Sequence, residues 1–170
     1  MKPEIVHLSL KNLIGKSVKM SVSNNKTAEL WKSVMPLIHQ IEGRITIDKI
    51  SLQNYSPGYF IRFDPGKEFE KWAAVEVAPN CTVPKGFKSM QIPAGKYAVF
   101  HYKGLSNDPK IFQSIFTQWL PQSPYDIADR PHFEILGSNY RNNDVNSEET
   151  IWIPIKKKEK PAERFIDLTM

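Results

Sequence analysis

Arg130-Pro131-His132-Phe133-Glu134-Ile135-Leu136 alternates apolar and polar side chains, the period of a β-strand rather than a helix. Phe133 and Ile135 share one face and are expected to enter a core, which turns Glu134 to the other side. If that side meets water, the stretch is an ordinary edge strand. If it meets a cavity, Glu134 is a carboxylate held among apolar groups and suited to a cationic or protonated organic ligand. Other candidate strands favour the cavity, because they too set aromatic residues opposite an aliphatic face.

In the last candidate strand, Ile151 to Ile155, three isoleucines take one face and Trp152 the other, while Pro154 marks an edge or a bulge. In Trp72 to Ala78, Val75 and Val77 face the core, and Trp72, Ala74 and Glu76 alternate away from it. Ala94-Gly95-Lys96-Tyr97 answers Ile14-Gly15-Lys16-Ser17, and each Gly-Lys pair leads into a strand, a turn and an amphipathic helix. Aligning the glycines sets Ala98, Phe100 and Tyr102 beside Val18, Met20 and Val22 on the core face. Tyr97, Val99 and His101 then take the face assigned to Glu134.

Two short strands are expected at Glu4 to Leu10 and Lys16 to Ser23, parted by Asn12 and Gly15, with a further one at about Ile50 to Tyr55. Leu30, Trp31, Val34, Leu37, Ile38 and Ile41 recur with helical spacing after a cap at Asn25 or Thr27, and Pro36 should kink or weaken that helix near Lys32 and Ser33. A second helix starts at Asp108-Pro109, carries Ile111, Phe112, Ile115, Phe116, Trp119 and Leu120 on one face, and ends at Pro121. Ser56-Pro57-Gly58-Tyr59-Phe60 and Asp64-Pro65-Gly66 form a turn-rich excursion with the makings of a lid. Each half thus reads strand, helix, strand, strand. The class is α+β, with two main helices on one side of a curved antiparallel sheet.

With 170 residues and 41% apolar composition, one domain with a real core is expected, at about residues 1–157, with pseudo-repeats at about 4–80 and 86–156. A basic tail, 158–170, completes a run of Lys156, Lys157, Lys158, Lys160 and Arg164 that supplies part of the formal +5 charge. No aromatic residue interleaves that run and no helix-turn-helix pattern precedes it, so it reads as a solvated end rather than a nucleic-acid site. Cys81 is the sole cysteine and has no spaced partner for zinc or a disulfide. No phosphate-binding glycine loop, Ser-His-Asp set, metal motif or cofactor motif is legible, and no apolar run suggests a signal peptide or membrane span. The cytoplasm is the expected location.

The runs Asn25-Lys26-Thr27-Ala28-Glu29-Leu30-Trp31, Lys71-Trp72-Ala73-Ala74-Val75-Glu76-Val77, Ile92-Pro93-Ala94-Gly95-Lys96-Tyr97-Ala98-Val99-Phe100, Arg130-Pro131-His132-Phe133-Glu134 and Glu148-Glu149-Thr150-Ile151-Trp152-Ile153-Pro154-Ile155 together resemble stand-alone GyrI-like proteins. That group shares its fold with the effector-binding domains of AraC-type and MerR-type multidrug regulators. The resemblance implies a duplicated fold with a hydrophobic cleft between the repeats and a glutamate in it, matched here by Glu134. It implies binding of an amphipathic aromatic or cationic small molecule, sensed or sequestered, with Glu134, Trp72, Tyr97, Trp152, Tyr55 and Tyr59 as ligand contacts. Direct sequence-specific DNA binding is not expected, and a protein partner such as gyrase follows from fold analogy alone. Some GyrI-like proteins open strained cyclopropane rings of alkylating compounds. By that analogy Glu134 would be the acid or base and Tyr97 its positioning partner.

Overall fold

The computed structural model describes residues 1–159. The tail from residue 160 onward, with Lys160 and Arg164, lies outside them. β1 (Glu4–Leu8), β2 (Lys11–Met20), α1 (Thr27–Val34), β3 (Lys49–Asn54) and β4 (Phe69–Val77) form the first half. β5 (Lys88–Ile92), β6 (Gly95–Lys103), α2 (Lys110–Ser114), β7 (Tyr125–Ile127), β8 (His132–Leu136) and β9 (Glu148–Lys157) form the second. All strand pairs are antiparallel, in the order β1-β6-β9-β8-β3-β4-β2-β5, with β7 added on β9. Reading the order backwards exchanges β1 with β5, β6 with β2, β9 with β4 and β8 with β3. The duplicated plan is therefore a pseudo-twofold whose axis runs through the β3–β8 pair.

The same order forces the sheet to curl. Only Ser9 and Leu10 join β1 to β2, although these strands stand at opposite ends of the order, and Pro93 and Ala94 join β5 to β6 in the same way. A link of that length spans about 11 Å at most. The two ends of the sheet must meet, and both faces are consequently buried. The inner face holds Leu8, Leu13, Ile50, Leu52, Trp72, Ala74, Ile92, Tyr97 and Phe133, with Ile135 and Trp152 packed against them. The outer face carries the helices. Leu30, Val34 and Ile41 cover Ile14, Ala73, Val75 and Val77, while Ile115 with Ile111, Phe112, Phe116 and Trp119 covers Ala98, Phe100, Ile151, Ile153 and Ile155. Trp31 and Trp119 are thus packing residues.

Pro36 converts the first helix rather than kinking it. α1 gives way after Val34 to a 3₁₀ segment, Met35–Gln40, which needs no donor from the proline nitrogen, and Ser33 Oγ donates to Leu30 O at 2.7 Å. In the second helix, Asp108 Oδ1 accepts from Lys110 N at 3.0 Å, and α2 continues through a π-helical stretch, Ile115–Trp119, into a last turn, Leu120–Gln122, that contains Pro121. Asn12 and Gly15 do not interrupt β2, which runs straight through both. Gly15 is there because β4 comes too close for a side chain: a Cβ would lie 2.2 Å from Ala73 O. Gly95, by contrast, opens β6, so the two glycines are not equivalent in the fold, although the alternation read from them is preserved. β5 and β7 are additions that the pattern of apolar residues did not announce.

Candidate functional site

β3 and β8 lie midway between the two helix-covered regions, and here the outer face turns polar. Across this pair Ser51 faces Glu134 and Gln53 faces His132, and Gln53 faces Lys71 on β4. Gln53 Nε2 donates to Glu134 Oε1 at 3.2 Å. Neither helix covers this strip. The chain leaving β3 does, folding Tyr55, Tyr59 and Phe60 back over it through turns in which Tyr59 N donates to Ser56 O and Ile61 N to Gly58 O, with Gly58 at a φ of 81°. Tyr55 packs against Tyr59, Phe60, Phe69 and His132 with ring centroids 4.5, 4.8, 4.9 and 4.9 Å away. Phe60 stacks on Phe116 of the second helix at 5.3 Å and on His132 at 5.1 Å. The turn-rich loop expected to act as a lid thus packs its aromatic rings over this polar strip.

Burial dominates the electrostatics. Glu134 keeps partial contact with solvent, yet desolvation pushes its carboxyl up to about 7; Lys71 and the Gln53 hydrogen bond pull against this, and the Glu149 charge adds to it. Burial lowers the Lys71 ammonium, opposed by the charges of Glu134 and Glu149. It holds His132 down at about 3, so this imidazole is neutral. It raises the Tyr55 phenol, with Glu134 and Tyr59 adding to the effect. Glu149 is raised by its own burial against a 3.0 Å hydrogen bond from Ser106 Oγ. Tyr59 Oη is buried with no hydrogen-bond partner among the described residues. An acceptor brought by a ligand would relieve a cost of about 1–3 kcal/mol.

The structure sets Tyr55 near Glu134, with Tyr59 packed on Tyr55, and separates them from Trp72, Tyr97 and Trp152. The expectation that Tyr97 shares a face with Glu134 is corrected. Phe133, not Glu134, stands beside Trp152 and Leu52, and the three aromatics lie on the inner face with it. Phe133 stacks on Trp152 at 5.2 Å, Tyr97 meets both rings edge-on, and Tyr97 is 0% exposed. The physical reason is the closed sheet: with both faces buried, an apolar strand face no longer marks the helix side. Tyr97 Oη is also committed, donating to Pro131 O at 2.8 Å beneath the Arg130 guanidinium, and burial raises it to about 12. Trp72 Nε1 donates to Glu70, and Lys88 lies over its ring at 5.0 Å. Tyr55 is an aromatic hydroxyl on the glutamate's side. His101 is a surface residue paired with Glu4 at 3.3 Å.

Gln53, Lys71, His132, Phe69 and Phe116 were not anticipated here. Lys71 carried a readable signal, being the one charged residue in phase with Phe69, Ala73, Val75 and Val77. Among the described residues no group of three or more His, Cys, Asp or Glu side chains is placed to hold a metal ion, and no helix is long and apolar enough to cross a membrane.

The family model for the GyrI-like small molecule binding domain matches residues 1–156. The chain belongs to this family. It is 30% identical over 159 residues to the transcriptional regulator BrlR of Pseudomonas aeruginosa, an alignment covering 91% of this chain and 56% of the regulator. This GyrI-like chain thus spans a little over half the length of that relative. Among solved structures it is similar to SAV2435 bound to tetraphenylphosphonium, with a TM-score of 0.66, 17% identity, and coverage of 92% of this chain and 94% of the other. It also resembles a hydrolase from Listeria innocua, with a TM-score of 0.54, 10% identity, and coverage of 91% and 92%. One fold accommodates a binder and a hydrolase, so the family establishes small-molecule binding and the fold alone does not assign the chemistry.

Proposed function

We propose that this GyrI-like domain senses or sequesters amphipathic aromatic compounds carrying a positive or hydrogen-donating group, and that they bind in the outer-face recess over β3 and β8. The observation that carries this reading is the Glu134 carboxyl. Tyr55, on which Tyr59 and Phe60 pack, is its aromatic neighbour, and Gln53 is its one hydrogen-bond partner among the described residues. Aromatic rings supply sequence-tolerant contact area, and the desolvated carboxylate supplies preference for charge. Trp72, Tyr97 and Trp152 act in this scheme as the rigid floor behind the site rather than as ligand contacts.

The test is calorimetric titration of wild type and Glu134→Gln with tetraphenylphosphonium and with a neutral analogue, triphenylphosphine oxide. Glutamine preserves shape and hydrogen bonding but carries no charge. The cation should lose about 1–3 kcal/mol of affinity, the range for a hydrogen-bonded charge, and the neutral compound almost nothing. Equal losses for both compounds, or none for either, would remove Glu134 from the site.

A further inference from the structure

Lys71 stands out on β4. Its neighbours in phase, Phe69, Ala73, Val75 and Val77, are all apolar, and it is only 6% exposed. A lysine that serves as a counter-ion is held by its carboxylate, as Lys11 is by Glu76 at 3.1 Å. Lys71 forms no hydrogen bond and no ion pair among the described residues, although two carboxyl groups, Glu134 on β8 and Glu149 on β9, are its charged neighbours. Directly across the ladder from it stand Val18 on β2 and Gln53 on β3, the latter engaged with Glu134, while Lys16, one pleat along β2, is turned to Ser33 O.

We propose that Lys71 is a carbonyl-capturing amine, and that the recess holds aromatic aldehydes as a Schiff base on Lys71 Nζ with Glu134 moving the protons. This rests on the recess being the ligand site. The Lys71 lone pair attacks the carbonyl carbon, a C–N bond forms, and the C=O π pair moves to oxygen, which takes a proton from the Glu134 carboxyl. The new ammonium returns one proton to Glu134, leaving a neutral carbinolamine. Nitrogen then pushes out the hydroxyl, which leaves as water with the Glu134 proton. The products are an iminium ion, a glutamate carboxylate beside it, and one water, with no oxidant or reductant consumed. Burial disfavours the charged forms of the amine and the acid, the forms that cannot begin the first step, while the iminium and the carboxylate offset each other as an adjacent ion pair. The aromatic roof selects an aryl group on the aldehyde.

The experiment incubates the full chain at pH 7 with one equivalent of trans-cinnamaldehyde and sodium cyanoborohydride, then maps labelled lysines by mass spectrometry. Lys71 should be labelled roughly tenfold or more faster than the exposed Lys2, Lys32 and Lys85, as expected for an amine whose charged form burial disfavours. Tetraphenylphosphonium should protect Lys71 and leave the surface lysines unchanged. Glu134→Gln should slow labelling of Lys71 by roughly a hundredfold. Lys71→Arg, which keeps a cation but forms no Schiff base, should lose the fast label. Wild-type labelling decides the matter even if that variant folds poorly. Lys71 left unlabelled, or labelled no faster than surface lysines while tetraphenylphosphonium still binds, overturns the proposal and leaves the binding reading intact. Absence of both label and binding removes the two together.

Discussion

Glu134 and His132 sit two residues apart on one strand face and titrate in opposite senses. The Glu134 carboxyl rises from 4.5 to about 7 on folding, so its contribution to stability is complete below 4.5 and is lost as pH rises through 7. His132 falls from 6.5 to about 3, so its contribution is complete above 6.5 and is lost as pH falls toward 3. Stability should therefore peak between about 4.5 and 6.5. Between those values the two slopes oppose each other, so the limbs outside them are about 2 kcal/mol on the acid side and under about 1 kcal/mol on the alkaline side. Urea unfolding across pH checks this: Glu134→Gln should flatten the alkaline limb and His132→Phe the acid limb. Ligand binding runs against the stability curve. Affinity for a lipophilic cation should rise as pH climbs through 7, because only the ionised carboxylate attracts it.

At the scale of elements, the two glycines that suggested the repeat differ in what holds them. A side chain at Gly15 would strike the backbone of β4, with Ala73 O at 2.2 Å and Ala74 Cα at 2.7 Å. At Gly95 it would meet the end of a flexible side chain, the Arg130 guanidinium at 2.4 Å. Backbone cannot yield without breaking the β2–β4 ladder. Gly15→Ala should cost roughly 2–3 kcal/mol or more, and Gly95→Ala clearly less, since Arg130 can swing aside at the loss of its contacts with Lys96 O and the Tyr97 ring. Equilibrium denaturation of the two variants checks the order; equal costs would contradict the close approach of β2 and β4.

Across the whole molecule, the loop from Ser56 to Gly66 joins the two halves, with Phe60 bridging to Phe116 and His132. It is held by turns and ring contacts rather than by a strand ladder, and its tip is solvent-facing, with Ile61 89% and Phe63 75% exposed. Such a segment opens at less cost than the sheet beneath it. Phe60→Ala should speed association of tetraphenylphosphonium in stopped-flow fluorescence, with a smaller gain in affinity because one wall of the site is lost. Unchanged association would mean that ligands reach the glutamate by another path.

Much of this was legible in one dimension. The strand parity of Ile151–Trp152–Ile153 and of Trp72–Ala74, the two amphipathic helices, the duplicated plan and the turn-rich lid all follow from local periodicity, which the chain expresses residue by residue. Dispersed motifs supplied the family. Tertiary structure decided which side of the sheet each face becomes. Two-residue links at Ser9-Leu10 and Pro93-Ala94 close the sheet on itself, and closure buries both faces, so Phe133 could enter a core and still leave Glu134 on the helix side. Alternation along a strand states that Glu134 opposes Phe133 but carries no information about what lies above either face. That depends on strands far apart in the chain, and it is why Lys71, Gln53 and His132 share the face of Glu134 while Tyr97 does not.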